Sequence, residues 1–450
     1  MNHSLIRKRR FSSSQIIIMG FLSVILTGSI LLMLPVSTRS GESASFADAL
    51  FTATSATCVT GLVIHDTATY WSLFGQAVIL LLIQIGGMGV VTIAVSVAVI
   101  SGRKIGLMQR STMQEAISAP SVGGIVRLTG FILKATILIE LLGAFSMLPV
   151  FCKDFGIWRG IWYALFHSIS AFCNAGFDLM GSREAFSSLT GYRDSVLINV
   201  VIMGLIMTGG IGFLTWDDIR RNGIHIRKYR MQSKVILLTT VILIIFPFLF
   251  FFFAEFGRDT WNDMTLGEKL WSALFQVVTP RTAGFNTVDL SLLGESGQTI
   301  IIILMLIGGS PGSTAGGMKT TTMTVLFITL FSVFRRKENS ECFGRRIEEE
   351  TIRNAAAILL MYLTLFLVGG IVISYLEQLP ILTCLFETAS AIGTVGLTLG
   401  ITPALGIISR MILMILMFLG RVGGLTLVFA AFSDKERNLS KLPKEKITVG

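Results

Sequence analysis

The sequence predicts an all-α membrane protein made of four similar units. Three observations support this: a mean hydropathy of +0.74, a charged fraction of only 14%, and a motif that recurs four times along the 450 residues. Soluble proteins usually carry about 25% charged residues and avoid exposing so large an apolar area. The composition therefore excludes an ordinary soluble enzyme, a disordered scaffold and a secreted protein stabilised by disulfides.

Eight apolar runs are long enough to cross a membrane, for which about 20 residues are needed. The predicted spans are Gln15–Val36, Phe74–Ile100, Leu128–Val150, Val196–Leu214, Val235–Ala254, Thr299–Phe334, Ala355–Tyr375 and Ile407–Phe432. The sixth is interrupted by a stretch rich in glycine and serine at Gly308–Gly317. Basic residues precede the first span, so a cleaved signal peptide is a less favoured alternative there.

Basic residues alternate between the two sides of these spans. Of the 37 lysines and arginines, 25 lie before the first span, in every second connection or in the tail. Because positively charged loops stay on the cytoplasmic side, both termini are predicted to be cytoplasmic, in a multi-pass protein of the cell membrane. The net charge of +10 is then an orientation signal, and no nucleic-acid partner is expected.

A shorter, half-apolar segment lies in each remaining connection. Each has about 13 residues, too few to cross about 30 Å of hydrocarbon, and therefore predicts a re-entrant helix. The four segments are Ser45–Thr57, Gly160–Phe172, Thr265–Val278 and Leu379–Ile392. The repeat predicts units at 1–110, 111–225, 226–340 and 341–435, with a cytoplasmic tail at 436–450.

Two sets of glycines recur in the four units. The first glycine follows a phenylalanine of the short segment by 10, 10, 9 and 10 residues (51 to 61, 166 to 176, 275 to 284 and 386 to 396). The second set is a patch inside the next span, at Gln84–Val90, Thr208–Phe213, Gly308–Thr320 and Gly420–Thr426. Chance does not easily produce this order four times, although four duplicated hairpins without a special role are the alternative.

The first glycines predict a site for a dehydrated cation. A re-entrant helix ends within the membrane, where its partly negative carboxyl end favours a cation. Four loops with unpaired carbonyls around one axis can replace the water shell of a monovalent ion, and glycine reaches the required backbone conformations. The predicted filter residues, whose carbonyls would hold a monovalent cation, are Val59, Thr60, Gly61, Asn174, Ala175, Gly176, Thr282, Ala283, Gly284, Thr394, Val395 and Gly396.

Three acids follow the predicted filter loops on the outer side. Asp66, Asp178 and Asp289 lie 5, 2 and 5 residues after the loop glycines (61 to 66, 176 to 178 and 284 to 289). They either concentrate cations at the mouth or are ordinary solvated loop acids.

These loops resemble those of the Trk/Ktr/HKT superfamily of potassium transporters, and the chain is most similar to the Ktr-type membrane subunit. The most specific matches are PRTAGFNT at Pro280–Thr287 and IGGSPGSTAGGMKTTT at Ile307–Thr322. The resemblance covers nearly the whole chain. It implies four pseudo-symmetric helix–pore helix–filter loop–helix units around one central pore, with passive, channel-like potassium uptake. In the related plant proteins a serine in the first loop goes with sodium transport, so Gly61 favours potassium.

The resemblance also implies a gate. The interruption of the sixth span matches an intramembrane loop that closes the pore below the filter, and so many glycines and serines hold a helix poorly; a fixed kink is the alternative. The expected gate residues are Gly308, Gly309, Ser310, Pro311, Gly312, Ser313, Thr314, Ala315, Gly316 and Gly317, with Lys319 and Arg421.

Three basic residues lie within the predicted filter, gate or membrane-spanning segments. Arg421 is costly in hydrocarbon unless it faces a cavity or a partner. The resemblance places it beside the pore below the filter, where it would act as an electrostatic barrier; a buried contact with an acid or carbonyls is the alternative. Lys319 either lines the gate or caps the helix that restarts after it. Arg281 is expected to bind loop carbonyls.

The resemblance implies a homodimer in membrane lipid, docked on a cytosolic ring of nucleotide-binding, RCK-type regulatory subunits. No covalently bound cofactor is expected, and sodium is a candidate activator. The alternative function is a secondary transporter of a small solute by alternating access. That function predicts two related halves and a mid-membrane carboxylate, for which Glu140 and Glu387 are the only candidates. The sequence has no catalytic constellation, so an enzyme is not expected.

Overall fold

The computed structural model describes residues 12–100, 105–117 and 123–424, and their side chains except those of residues 97–100. Nearly all of the regular structure in these ranges is helical, as predicted. The exception is an antiparallel hairpin of β1 (Glu341–Cys342) and β2 (Arg345–Arg346), in which Glu341 pairs with Arg346.

The first part of the chain forms five helices. They are α1 (Ser13–Leu32), α2 (Phe46–Cys58), α3 (Thr67–Tyr70), α4 (Leu73–Met88) and α5 (Val90–Ile100). Serine side chains at residues 12, 45 and 72 accept backbone N–H groups of the first turn and fix where α1, α2 and α4 begin.

The second part also forms five helices. They are α6 (Leu107–Ile117), α7 (Ile125–Phe155), α8 (Ile157–Phe172), α9 (Val196–Ile211) and α10 (Phe213–Asn222). The predicted boundary at 110/111 falls inside α6, and the four predicted units stay a prediction.

The third part contains α11 (Met231–Phe250), which continues as a π-helical turn, then α12 (Leu266–Val278), α13 (Glu295–Leu306) and α14 (Thr320–Phe334). The gap between α13 and α14 confirms the predicted interruption of the sixth span. The fourth part contains α15 (Glu349–Glu377), α16 (Ile381–Gly393) and α17 (Ile407–Val422).

The short helices α2, α8, α12 and α16 confirm that each of the four segments forms a short helix; their re-entrant course in the membrane stays a prediction. Their lengths are 13, 16, 13 and 13 residues. Each packs against neighbouring helices, and the four phenylalanines that mark the repeat are completely buried: Phe51, Phe166, Phe275 and Phe386. The same order of long helix, short helix, loop and helix thus occurs four times.

Two of the predicted spans are broken rather than continuous. The predictions of single spans at Phe74–Ile100 and Val196–Leu214 are wrong, because α4 and α5 meet at 96° and so do α9 and α10. Gly89 and Gly212 lie at the breaks with φ of +85° and +97°, a conformation that glycine adopts without steric cost. Gly423 ends α17 in the same way, with φ of +89°.

Helices suited to a membrane run through the described residues. Four are long and apolar enough to cross one, or six if each bent pair counts as one span. The sixth and eighth predicted spans are not among them, because α13, α14 and α17 are shorter. The chain is a multi-pass membrane protein.

The second set of glycines allows close packing of backbones. In three parts of the chain, a glycine of the helix after the loop faces a carbonyl near the end of the short helix. The pairs are Gly86 with Thr57, Gly209 with Phe172 and Gly420 with Ile392, and a β-carbon on each glycine would lie under 3.0 Å from the carbonyl oxygen. A side chain at these positions would force the short helix away.

The substitution Gly209→Ala is therefore expected to destabilise the purified protein by about 1–3 kcal/mol, because a methyl group overpacks the contact with Phe172. Gly204→Ala is the matched control, since Gly204 lies in the same helix with nothing within 4 Å of an added β-carbon. It should be neutral or slightly stabilising, because alanine favours helices. Thermal unfolding in detergent measures both, and equal melting temperatures would contradict the packing argument.

Candidate functional site

The four loops that follow the short helices share one backbone conformation. We call them loops 1 to 4: Val59–Gly61, Asn174–Gly176, Thr282–Gly284 and Thr394–Gly396. The first residue of each has a positive φ, of +57°, +60°, +66° and +52°, and the glycine has φ of +93°, +70°, +80° and +91°. Loop 3 therefore aligns with the other loops when residues are counted back from its glycine. Its glycine is nevertheless one residue closer to the phenylalanine of the short helix than in the other three loops.

One hydroxyl group near the end of each short helix forms a hydrogen bond with the loop that follows and holds it in this conformation. The residues are Ser55, Ser170, Thr279 and Ser390, at the last turn of the short helices. In loops 1 and 4 the hydroxyl accepts the N–H of the glycine at 3.1 and 3.0 Å. In loops 2 and 3 it donates to the carbonyl of the following phenylalanine at 2.7 and 2.5 Å. These four residues were not among the predicted site residues, although each follows the phenylalanine of its short helix by four residues (51 to 55, 166 to 170, 275 to 279 and 386 to 390).

The loops lie next to one another in a closed order. A β-carbon on Gly61 would lie under 3.0 Å from the carbonyl oxygen of Ala175, and each later glycine has the same relation to the next loop. The remaining pairs are Gly176 with Ala283, Gly284 with Val395 and Gly396 with Thr60. The last pair returns to loop 1, so the structure brings all twelve residues predicted for the filter together.

The carbonyl oxygens of these loops have no protein donors. The twelve residues are buried, and among the described residues no backbone or side-chain hydrogen bond is donated to their carbonyls. Buried carbonyls are normally paired, and those that are not need another partner. Twelve such oxygens at one place form a site suited to a cation with few bound waters.

Each of the three acids that follow the loops binds neighbouring backbone groups. Asp66 is buried and caps α3 through Ala68 and Thr69, while its other oxygen accepts the N–H of Phe186 at 3.0 Å. Asp178 accepts the N–H of Met180, and burial raises the pKa of its carboxyl to about 7. Only Asp289 is exposed, and it caps a turn at Ser291. Local structure accounts for all three.

The segment Gly308–Gly317, which we call the intramembrane loop, binds carbonyls at the broken ends of neighbouring helices. A helix that stops leaves its last carbonyls unpaired. Ser310 and Thr314 donate their N–H groups to Gly210 and Gly209 of α9, at 3.1 and 3.2 Å. Gly317 donates to Gly420 of α17 at 3.1 Å. The loop is thus held more firmly than its composition alone suggests.

The intramembrane loop also contacts the end of α8 and loop 2. The hydroxyl of Thr314 donates to the carbonyl of Phe172 at 3.0 Å and to the side-chain oxygen of Asn174 at 3.2 Å. Gly316 packs against Thr394 of loop 4. A cavity of about 250 Å³ lies on the other side, between the loop, the bend at Gly89 and the end of α17.

Arg421 connects the intramembrane loop to α4. Its guanidinium donates to the carbonyl of Thr314 and to those of Gly86 and Gly87, the last at 3.0 Å. Arg421 thus makes the contact with carbonyls, and it also lines the cavity of about 250 Å³, so its role as an electrostatic barrier stays a prediction. Lys319 precedes α14, and its ammonium donates back to Ala315 at 2.8 Å, so it binds within the loop rather than to another helix.

Arg281 differs from its prediction. Its side chain is buried, but its Nε and Nη1 have no hydrogen-bond partner, so the expectation that they bind loop carbonyls is wrong. Its backbone carbonyl instead accepts the amide of Asn174 at 3.1 Å, which joins loops 2 and 3.

The two acids considered for a mid-membrane carboxylate form hydrogen bonds with their neighbours. Glu140 of α7 accepts the amide of Gln84 at 3.3 Å, and Glu387 of α16 accepts the hydroxyls of Thr398 and Thr402. Neither lines any of four cavities found in the described residues. They give no support to a carboxylate-based secondary transporter.

The chain matches known proteins along its length. A family model described as TrkH, a cation transport protein, matches residues 2–440. The chain is 40% identical over 449 residues to the potassium/sodium uptake protein NtpJ of Enterococcus hirae, covering 98% of both chains. It is 39% identical to the Ktr system potassium uptake protein B of Bacillus subtilis, over 98% of this chain and 97% of that one. The fold is similar to that of the potassium transporter TrkH from Vibrio parahaemolyticus, with a TM-score of 0.73 and 19% identity over 95% of this chain and 86% of that one.

The hydroxyl behind loop 3 can be tested with an isosteric pair of variants. Thr279→Val keeps the shape of the side chain but leaves the buried carbonyl of Phe285 without its donor, which is expected to cost about 1–3 kcal/mol of stability. Thr279→Ser keeps the hydroxyl and loses a methyl group, at about 0.8 kcal/mol. The valine variant should melt at the lower temperature in detergent. The opposite order would mean that the hydrogen bond does not stabilise the loop.

Proposed function

Because the chain belongs to the TrkH family of cation transport proteins, which are not enzymes, we propose that it takes up potassium across the cell membrane through a pore lined by loops 1 to 4. The observation that carries the proposal is the group of twelve buried loop carbonyls without protein donors. The relatives named as potassium uptake proteins support potassium as the ion. The four parts of the chain then surround one central pore.

The chemistry of these loops suits a monovalent cation. Carbonyl oxygens replace the hydration shell of an ion without carrying a formal charge, so binding remains weak enough for release. The short helices add the partly negative ends of their dipoles. Each loop glycine leaves space for the carbonyl of the next loop, and the hydroxyls behind the loops hold them in register.

The substitution Gly61→Ser tests the filter. Its side chain would enter the space of the Ala175 carbonyl and displace it, so we expect the preference for potassium over sodium to fall about tenfold, or about 1.4 kcal/mol. Growth of potassium-uptake-deficient bacteria at low potassium, with and without added sodium, measures the change.

Gly400→Ser is the matched control, because Gly400 has φ of +88° but nothing within 4 Å of an added β-carbon. It should keep the preference, which separates backbone strain from intrusion into the next loop. An unchanged preference in Gly61→Ser, or an equal loss in Gly400→Ser, would refute the filter assignment.

The intramembrane loop is the proposed gate. It contacts loops 2 and 4 and lines the cavity of about 250 Å³. In this proposal it therefore fills the path of an ion that leaves the filter loops. Arg421 fastens it to α4, and Gly209, Gly210 and Gly420 fasten it to two further helices. Conduction in this proposal requires the loop to leave these contacts.

Arg421→Gln should raise the rate of uptake, because it removes charge-assisted hydrogen bonds that hold the closed loop. Losing about 1.4 kcal/mol of closed-state stabilisation corresponds to about tenfold more open pores. Lys319→Gln removes an equal charge but no contact with another helix, so it should change the rate far less. Tracer uptake of rubidium into proteoliposomes measures both. Equal increases would mean that cavity charge limits the rate, and no increase would mean that Arg421 does not hold the gate.

Family membership also supports proposals about the orientation of the chain, its partners and its activator. We place both termini in the cytoplasm because the basic residues cluster on that side. The relatives of the Ktr system support a regulatory partner, which we propose to be a cytosolic nucleotide-binding ring beneath a membrane homodimer. The relative named for potassium and sodium uptake makes sodium a candidate activator.

A further inference from the structure

A basic cavity of about 720 Å³ lies away from the pore, between the start of α7 and the hairpin of α10 and α11. Its charged lining residues are Arg110, Arg127, Arg220, Arg221, Arg230 and Asp217. Its volume is in the range typical of ligand sites, about 300–1,000 Å³. None of these residues takes part in the filter or the gate.

The cavity carries an excess of positive charge. Arg221 binds Asp217 at 2.9 Å, and Arg230 lies 3.5 Å from Asp217 and from Asp218. The other three arginines have no carboxylate partner among the described residues. Five guanidinium groups thus face two carboxylates, and three positive charges remain uncompensated.

The start of α7 adds backbone donors to the same cavity. The helix begins at Ile125 after Gly124, which has no side chain to cap it. Within the described residues, the N–H groups of Ile125, Val126 and Arg127 have no acceptor. These groups belong to a helix of 31 residues, whose N-terminus favours an anion. Guanidinium forks and helix N–H groups together are typical of phosphate binding.

Apolar side chains continue from the cavity along α7. Leu128, Phe131 and Leu214 line its wall, and the guanidinium of Arg220 lies 4.5 Å over the ring of Phe131. Further along the same helix face, Leu138, Leu142 and Phe145 are exposed, at 58%, 56% and 72%. On a membrane span such an exposed stripe contacts acyl chains.

We propose that this cavity binds the phosphate-diester headgroup of an anionic phospholipid, with its acyl chains along α7. The charged groups lie at the end of α7 near the start of α1, since α6 bears both Arg110 and the Thr112 and Glu115 side chains that bind Ser13 and Ser14. This is the side on which basic residues cluster, and basic pockets there suit anionic headgroups. A free phosphate offers the same oxygens but makes no use of the apolar wall.

The test compares lipid retention by full-length protein purified in detergent and measured by native mass spectrometry. Arg110→Gln combined with Arg127→Gln removes two unpaired arginines of the cavity. Retention of phosphatidylglycerol should fall about tenfold, while that of zwitterionic phosphatidylcholine should not change. Arg110→Lys with Arg127→Lys keeps the charge and should retain part of the binding, which shows that the fold tolerates changes at these positions.

The matched control is Arg345→Gln with Arg353→Gln, which removes the same charge from the same predicted side but outside the cavity. It should retain phosphatidylglycerol like the parent protein. An equal loss in both double variants would overturn the site in favour of general surface attraction. Stabilisation of delipidated protein by inorganic phosphate is the second measurement. If phosphate stabilises the protein through Arg127 while phosphatidylglycerol does not bind, the lipid assignment is overturned.

Discussion

Three of the four short helices end against a glycine of the helix that follows them, and this contact sets how closely the two helices lie. The carbonyls of Thr57, Phe172 and Ile392 occupy the space where a side chain would otherwise be. Each of these carbonyls precedes a loop glycine by four residues (57 to 61, 172 to 176 and 392 to 396). Moving the short helix would move its loop by a similar amount, so the placement of the buried loop carbonyls depends on glycines 24 to 33 residues further along the chain (396 to 420 and 176 to 209).

The third part of the chain departs from this arrangement, and the departure creates the intramembrane loop. Gly308 faces Gly316 and Met318 rather than the end of α12, because the chain leaves the helix at this point. The other three parts bend or end at one glycine each, and their last carbonyls become available. The intramembrane loop and Arg421 supply donors to these carbonyls. The irregular third part of the chain, together with Arg421, thus pairs carbonyls that the breaks in the other three parts leave free.

What the sequence could predict was local. The four short helices and the interruption at Gly308–Gly317 depend on composition within about 20 residues, and the structure contains them. Of the eight predicted spans, four are single helices long enough to cross a membrane. The bends at Gly89 and Gly212 were missed because the apolar pattern continues through both glycines, and only tertiary packing selects their positive φ. The partners of Arg421 were equally hidden, since backbone carbonyls leave no pattern of residue types. The hydroxyls behind the loops were within reach of an alignment of the four copies.

Withdrawal of the intramembrane loop would remove its backbone donors from the carbonyls of Gly209, Gly210 and Gly420, in α9 and α17. An unpaired carbonyl in hydrocarbon costs several kcal/mol, whereas one that lines a water-filled space is satisfied. The loop can therefore withdraw only if water fills the space that it leaves. The same water would hydrate an ion as it leaves the loop carbonyls. Because the freed carbonyls belong to glycines, no side chain separates them from that water, and opening and hydration of the path become a single event.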